Sequence, residues 1–146
     1  MSEVKRDIRR CTKEEICSFF VSHNEPSFHG NQVYEWLWQK AAIDFDQMTN
    51  LSKAHRALLD QHFKINHTNI AKVQISDDGT IKNAVRLYDD KVVESVLIPA
   101  KTRSTACVSS QVGCSLDCTF CATAQLKRMR NLNPDEIFDQ VAMVNQ

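Results

Sequence analysis

The sequence has no excess of charge of either sign and no long hydrophobic run. Its 146 residues include 18 basic and 18 acidic side chains, so the overall charge does not mark a nucleic-acid or membrane-surface binder. No stretch approaches the roughly 18 apolar residues that a membrane span needs. The opening MSEVKRDIRR is not followed by the apolar segment of a secretory signal. These absences predict a cytoplasmic protein with no membrane partner.

Cysteine is the residue type that stands out. Six cysteines in a reducing compartment are not expected to form a disulfide framework, so a cluster of them indicates metal or redox chemistry. Four lie in the stretch CVSSQVGCSLDCTFC, from Cys107 to Cys121. Cys11 and Cys17 lie in or beside a helical pattern, and we interpret them as small core or surface residues.

Two local groups of basic residues break the overall charge balance. One contains Lys5, Arg6, Arg9 and Arg10, and the other lies within residues 101–130. Either group is able to meet phosphates, but a solvated basic face is the simpler interpretation.

Residues 1–66 are predicted to form a domain of short helices. TKEE, from Thr12 to Glu15, has the pattern of a capping box and predicts a helix over 13–22. The segments NQVYEWLWQKAA and SKAHRALLDQHF predict two more helices, with DFDQMTNLS as a short helical turn between them. The helical faces are expected to contain Ile16, Phe19 and Phe20 in the first helix, Val33, Trp36, Leu37 and Lys40 or Ala41 in the second, and Ala54, Leu58 and Gln61 or His62 in the third. Trp36 and Trp38 are expected in the core rather than as base-stacking platforms.

The pattern changes to strands after residue 66. AKVQIS, IKNAVRLYD and VVESVLIPA, separated by the turns DDGT and DDK, predict an antiparallel β extension over residues 67–100. RSTACVSSQ predicts one further strand, which ends at the cysteine loop. NPDEIFDQVAMVNQ predicts a helix capped by Asn133, with Ile137, Val141 and Val144 on one apolar face. Residues 101–146 therefore have the order strand, loop, helix, and the fold class is α+β leading into α/β.

The cysteine loop has the spacing C-x3-C-x2-C at Cys114, Cys118 and Cys121. Three thiolates do not close a tetrahedral zinc site, and ferredoxin-type clusters use C-x2-C-x2-C with a fourth cysteine. Three cysteines suit a 4Fe–4S cluster that leaves one iron open to a substrate or cofactor. The spacing, with Phe120 before the last cysteine, resembles the radical S-adenosylmethionine signature.

That resemblance implies roles for four residues. Cys114, Cys118 and Cys121 would ligate the cluster, whose open iron would be chelated by S-adenosylmethionine. Phe120 would pack near the adenine of this cofactor, although plain core packing is also consistent with an aromatic residue here.

Several further stretches resemble the RlmN family. They are CVSSQVGC, VESVLIP, DGTIK, FHGNQVYEWLW, FDQMTNLSK and RNLNPDEIFDQV. The resemblance implies an enzyme that methylates C2 of adenosine in ribosomal RNA and tRNA, related to the Cfr family, which methylates C8. It also implies a helical RNA-docking domain, the first β-α unit of a partial (β/α) barrel, an electron donor such as flavodoxin, and a monomer.

The family chemistry gives Cys107 a role. Adenine C2 is electron-poor, so the family methylates a cysteine of its own first and adds the derived carbon radical to C2. By resemblance Cys107 removes the C2 proton and attacks the methyl-bearing cysteine, which leaves a disulfide. Glu94 matches a family position where a carboxylate assists proton movement. A buried strand cysteine and a solvent-facing glutamate are the alternatives for these two residues.

The family barrel needs about 200 residues beyond Gln146, which include the methyl-carrying cysteine and the motif that binds the methionine part of the cofactor. We therefore expect an N-terminal fragment that is inactive alone. Two other functions stay open at this point: a Cfr-like C8 methyltransferase, and a non-catalytic RNA-binding or iron–sulfur module.

Overall fold

The computed structural model describes residues 4–116 and 118–144, so the last two residues of the predicted final helix lie outside the described residues. The chain divides into two compact units, residues 1–66 and 67–146. The first is mainly helical and the second contains a four-stranded sheet and one α-helix, so the fold mixes helices and sheet. Within the described residues, no helix is both long and apolar enough to cross a membrane.

The first unit contains three α-helices. Their bounds are α1, Lys13–Ser22, α2, Phe28–Trp38, and α3, Lys53–His62, with short 3-10 turns at Ile8–Arg10 and Phe45–Gln47. The two-residue strands β1, Arg6–Asp7, and β2, Phe63–Lys64, pair in parallel and join the two ends of the unit. All three predicted helices are therefore present, but α2 begins at Phe28 and ends at Trp38, whereas the predicted segment covers 31–42. Ala41 has a positive φ of 52°, which is not helical.

Helix α1 begins as the sequence predicts. The Thr12 hydroxyl accepts a hydrogen bond from the Glu15 N–H at 3.1 Å, and the Glu15 carboxylate accepts one from the Thr12 N–H at 2.6 Å. This reciprocal pair satisfies two N–H groups at the helix start. Ile16 and Phe20 are then buried in the core, and Trp36 and Trp38 pack against it half-buried, as expected.

The buried face of α3 differs from the prediction. Leu59 is fully buried, whereas Ala54 and Gln61 are exposed. The sequence offers two adjacent leucines, and His55, one turn before Leu59, packs edge-on against the ring of Phe20. This contact selects the face that contains His55 and Leu59, since residues four apart share one side of a helix.

The first basic group is used largely within the unit. The Lys5 ammonium lies 3.6 Å from the Asp60 carboxylate, and the Arg6 guanidinium lies 3.3 Å from Glu15. Arg9 is buried. These contacts favour an internal role over a phosphate-binding face.

The second unit is built on an antiparallel sheet in the order β3-β4-β5-β6. Its strands are β3, Asn69–Ile75, β4, Ile81–Arg86, β5, Val92–Pro99, and β6, Ser104–Cys107; β7, Gln111–Val112, pairs with β8, Arg130–Asn131, and α4 spans Pro134–Val144. The two predicted hairpin turns are present, with positive φ at Gly79 and Asp90. A second apolar cluster around Val85 and Val93 packs against Ile137 and Met143 of α4.

Candidate active site

The cysteine loop is closed at its base by a short ladder. β7 and β8 pair antiparallel, the Cys114 N–H donates to the Leu126 carbonyl at 3.0 Å, and the Met129 N–H donates to Val112 at 2.9 Å. Gly113 has a φ of +74° at the point where the two sides of the loop meet. A Cβ there would lie 2.9 Å from the Leu126 carbonyl oxygen and would also strike the Lys127 carbonyl. Only glycine fits this position.

We therefore expect Gly113→Ala to destabilise the second unit more than Gly79→Ala does. Both glycines have positive φ, at a cost of about 1–3 kcal/mol for an alanine, but a Cβ at Gly79 meets only the Pro99 ring, at 3.3 Å. Thermal unfolding followed by circular dichroism should show the larger fall in Tm for Gly113→Ala. Equal falls would contradict the tight closure of the loop.

The loop thiols have donors suited to thiolates. The Cys114 sulfur accepts a hydrogen bond from the Leu116 N–H at 3.4 Å. Hydrogen bonds from the backbone N–H groups of Ala124 and Thr123 lower the pKa of Cys121 below its ordinary value. All three thiols, including that of Cys118, are free and half-buried. Thiolate ligands supported by N–H donors fit an iron–sulfur cluster, because such hydrogen bonds stabilise cluster sulfurs.

Cys107 and Glu94 lie on the same face of the sheet. Cys107 pairs with Val96 across β5 and β6, and Glu94 is two residues before Val96. Side chains two apart along a strand share a face, so the thiol and the carboxylate are diagonal neighbours. Cys107 is exposed in this chain. The Glu94 carboxylate is also exposed and lies 2.8 Å from the Lys82 ammonium.

A cavity of about 470 Å³ lies over this face. Its walls include Glu94, Val96 and Cys107 on the sheet side, and Ala122 and Thr123 on the cysteine-loop side. Ala122 directly follows Cys121, so the cavity places the strand thiol beside the loop that carries the other three cysteines.

The connection after Cys107 is fixed by a glutamine. RSTACVSSQ was predicted as one strand, but β6 ends at Cys107 and β7 begins at Gln111. Between them, the Ser109 N–H donates to the Gln140 amide oxygen at 2.8 Å, and the Gln140 NH₂ donates back to the Ser109 carbonyl at 2.8 Å. The Ser109 hydroxyl also donates to the Glu94 carbonyl at 2.7 Å. These bonds replace the ladder and bend the chain over the cavity.

The most buried face of α4 is polar, contrary to the predicted apolar face. Val141 is 41% exposed. The buried side chains of the helix are Asp135, Glu136, Asp139 and Gln140. The cause is hydrogen bonding across the unit, since Asp139 accepts from the Thr68 N–H at 3.0 Å and Gln140 binds Ser109.

Arg130 anchors the far end of the cysteine loop. Its guanidinium makes two-pronged hydrogen bonds of 2.9 and 3.0 Å to Asp89 and of 2.8 Å to Glu136. The hydrogen bonds from Arg130 hold the pKa of Asp89 well below its usual range. Burial raises the pKa of Glu136, but hydrogen bonds from Arg130 and the Asn133 N–H outweigh it, and the net pKa is lowered. A paired arginine of this kind has no local sequence signal, because its partners are 41 and 6 residues away.

Phe120 is 92% exposed in this chain. It lies at the tip of the loop, between Cys118 and Cys121.

Comparison with known proteins identifies relatives over nearly the whole chain. Residues 6–65 match the family model described as the ribosomal RNA large subunit methyltransferase N-terminal domain. The chain is 64% identical over 141 residues to a probable dual-specificity RNA methyltransferase RlmN of Christiangramia forsetii, covering 97% of this chain and 40% of the relative. It is 39% identical over 137 residues to the RlmN of Desulfotalea psychrophila, covering 94% of this chain and 38% of the relative.

A solved structure has the same fold. The crystal structure of a radical SAM methyltransferase from Sphaerobacter thermophilus superposes with a TM-score of 0.79 at 33% identity, and covers 94% of this chain and 41% of that one. The chain spans about two fifths of the length of the relatives it matches.

Proposed function

The chain belongs to the RlmN family, and from that premise we propose that it forms the RNA-docking and cluster-binding part of an enzyme that methylates C2 of adenosine in ribosomal RNA and tRNA. The helical unit, residues 1–66, would dock RNA. Residues 67–100 would be the β extension, and residues 101–146 the start of a partial (β/α) radical SAM barrel.

One observation carries the proposal: the cavity of about 470 Å³ whose wall contains Cys107 and whose opposite side is the cysteine loop. A cluster-bound cofactor and a strand thiol must both reach one adenine in this chemistry. The cavity is large enough for a base, since ligand pockets occupy about 300–1,000 Å³.

The three loop cysteines would hold a 4Fe–4S cluster. When bound, that cluster and S-adenosylmethionine would supply the radical that activates a methyl carbon for bonding to C2. Cys114, Cys118 and Cys121 would each donate a thiolate, and two of these sulfurs have backbone donors: the Leu116 N–H at Cys114, and the Ala124 and Thr123 N–H groups at Cys121. The exposed ring of Phe120 would cover the adenine of the cofactor, which offers a partner for an aromatic face left in solvent.

Cys107 would complete the reaction. Its thiolate would take the proton from C2, pass that proton on, and then attack the sulfur of a methyl-bearing cysteine elsewhere in the enzyme. A sulfur–sulfur bond forms as the carbon–sulfur bond breaks, the electron pair of the broken bond stays with the carbon, and that carbon takes up a proton to become the methyl group. The methylated base is released, and the two cysteine sulfurs are left as a disulfide. Glu94, on the same sheet face, would receive the proton, and Lys82 would hold its carboxylate in place.

A low-potential electron donor such as flavodoxin would reduce the cluster. The RNA substrates would be ribosomal RNA and tRNA, which would place the enzyme in the cytoplasm. The enzyme would act as a monomer.

A hybrid enzyme tests this function. Residues 1–146 would replace the aligned region of the RlmN of Christiangramia forsetii, and the hybrid would be expressed in bacteria that lack adenine C2 methylation. Nucleoside mass spectrometry should show 2-methyladenosine in both RNA classes, and Cys17→Ala, which alters a cysteine outside the cavity, should leave it unchanged. Accumulation of 8-methyladenosine would instead support the Cfr-like alternative. A hybrid that binds iron but forms neither product would support the non-catalytic module.

A further inference from the structure

A second group of potential ligands lies in the helical unit, apart from the cysteine loop. Glu25, His29 and His55 each place one ligand atom within 4.8 Å of the others. All three residues are half-buried. They come from three different segments: the connection between α1 and α2, the first turn of α2, and the first turn of α3.

The backbone at these positions is fixed by hydrogen bonds. Asn24 has a φ of +60°, and the Glu25 N–H donates to the Phe20 carbonyl at 2.9 Å. The His55 N–H donates to the hydroxyl of Ser52, the N-cap of α3, at 3.1 Å. The rings of His29 and His55 both lie against the buried ring of Phe20, with centroids 5.6 and 5.8 Å away. The three side chains are therefore held by the fold rather than gathered by chance at a mobile surface.

The hydrogen bonds determine which nitrogen of each ring is available. The Nδ1 of His29 lies 2.9 Å from the Gln32 side-chain oxygen, which only accepts, so Nδ1 is the donor in this hydrogen bond. The Nδ1 of His55 is buried without a hydrogen-bond partner, and its Nε2 lies 3.0 Å from the Glu25 carboxylate. In His55 the nitrogen beside Glu25 is Nε2, and a cation bound there would replace the proton through which Nε2 contacts the carboxylate.

From this geometry we propose that Glu25, His29 and His55 form a binding site for a divalent cation of the Zn²⁺ class. Two imidazoles and one carboxylate are a ligand set that suits Zn²⁺ and leaves an open position for water. Ligand bonds of about 2.0–2.2 Å place neighbouring ligand atoms roughly 3.0–3.6 Å apart, and the His55–Glu25 separation already lies in that range. The hydrogen bond from His29 to Gln32 is the outer contact that commonly orients a ligating histidine.

The electrostatics are balanced by the carboxylate. His29 and His55 lie in the first turns of α2 and α3, where the positive helix ends oppose a cation. Glu25 supplies the negative charge that offsets them, and it is the one acidic ligand in the group. A bound ion would join three segments of the helical unit, and this consequence does not depend on the methyltransferase function.

The test must separate this site from the cysteine loop, since thiolates also bind zinc. The background is the full chain with Cys114→Ala, Cys118→Ala and Cys121→Ala, titrated with Zn²⁺ by isothermal titration calorimetry. We expect one site in this background. His29→Phe, which keeps a ring against Phe20, should weaken binding by at least about tenfold, and Gln32→Ala by about tenfold.

Two controls keep the test decisive. His62→Phe changes a histidine whose Nδ1 is bonded to the Leu58 carbonyl and which lies outside the group, so it should bind Zn²⁺ as the background does. Glu25→Gln should remove the Zn²⁺-dependent rise in Tm even if His29→Phe fails to fold. Absence of Zn²⁺ binding in the background, or equal binding by background and Glu25→Gln, would overturn the proposal.

Discussion

RNA should remain covalently attached to protein when the hybrid enzyme carries Cys107→Ala. The proposed function gives this thiol only the last steps, so the cluster should assemble, S-adenosylmethionine should be consumed, and carbon should bond to C2 before the reaction stalls. The adduct is then a methylene bridge between the base and a cysteine sulfur. Formation of methylated RNA should fall to background, because no other described thiol lines the cavity.

Denaturing gels with radiolabelled RNA measure this outcome. The variant should give a shifted band that nuclease collapses and that thiol reductants leave intact, since a thioether resists reduction and a disulfide does not. Cys17→Ala is the matched control and should turn over normally, because its sulfur lies in the helical unit. Normal turnover by Cys107→Ala would show that this residue takes no part in the mechanism. Loss of iron from the variant would indicate that Cys107 is a cluster ligand.

Replacing any one of Cys114, Cys118 or Cys121 by alanine should abolish the cluster and, with it, all methylation. Anaerobic reconstitution of the hybrid should give four irons per chain and broad absorbance near about 400 nm from thiolate-to-iron charge transfer. Each variant should lose both signals. The cluster has only three protein ligands, and two cysteines are too few to hold it. Cys17→Ala should keep both.

Binding of zinc in place of iron would contradict the cluster assignment of the loop. A colourless protein with stoichiometric zinc that depends on these three cysteines would mean a structural metal site. A cluster that is indifferent to air would argue for a closed four-cysteine site, because the proposed open iron is accessible to oxidants.

Local sequence signals predicted the start of α1 and the hairpin turns of the sheet. Thr12 and Glu15, three residues apart, form the hydrogen bonds that cap α1. Gly79 adopts the positive φ that its turn requires. Both effects are decided within a few residues, so the printed sequence is enough to locate them. The hairpin order of β3, β4 and β5 follows from the same short-range geometry.

Long-range polar contacts account for what the sequence did not predict. Gln140 ends β6 by bonding Ser109, which is 31 residues away, and Arg130 binds Asp89 at a separation of 41 residues. Neither pairing leaves a periodic pattern. The bond from Ser109 to Gln140 and the bond from Thr68 to Asp139 turn the polar side of α4 inward. The α3 face was missed for a different reason: Leu58 and Leu59 are equivalent by composition, and the packing of His55 on Phe20 decides between them.

The residues of the candidate site were predicted from the sequence, whereas the cavity between them was not. The spacing of the loop cysteines indicates a cluster, and the resemblance to a known family assigns roles to Cys107, Glu94 and Phe120. The cavity that faces both Cys107 and the loop comes from the tertiary fold, because it requires the bend after β6 and the closure at Gly113.

The fate of the methyl hydrogens tests the central claim most directly. The hybrid would methylate RNA with S-adenosylmethionine whose methyl group carries three deuterons, and the product nucleoside would be analysed by mass spectrometry. If a cysteine-borne methyl loses one hydrogen before it bonds to C2 and gains a proton when Cys107 releases it, 2-methyladenosine should retain two deuterons. A product that retains all three would show direct transfer of an intact methyl group and would contradict the account.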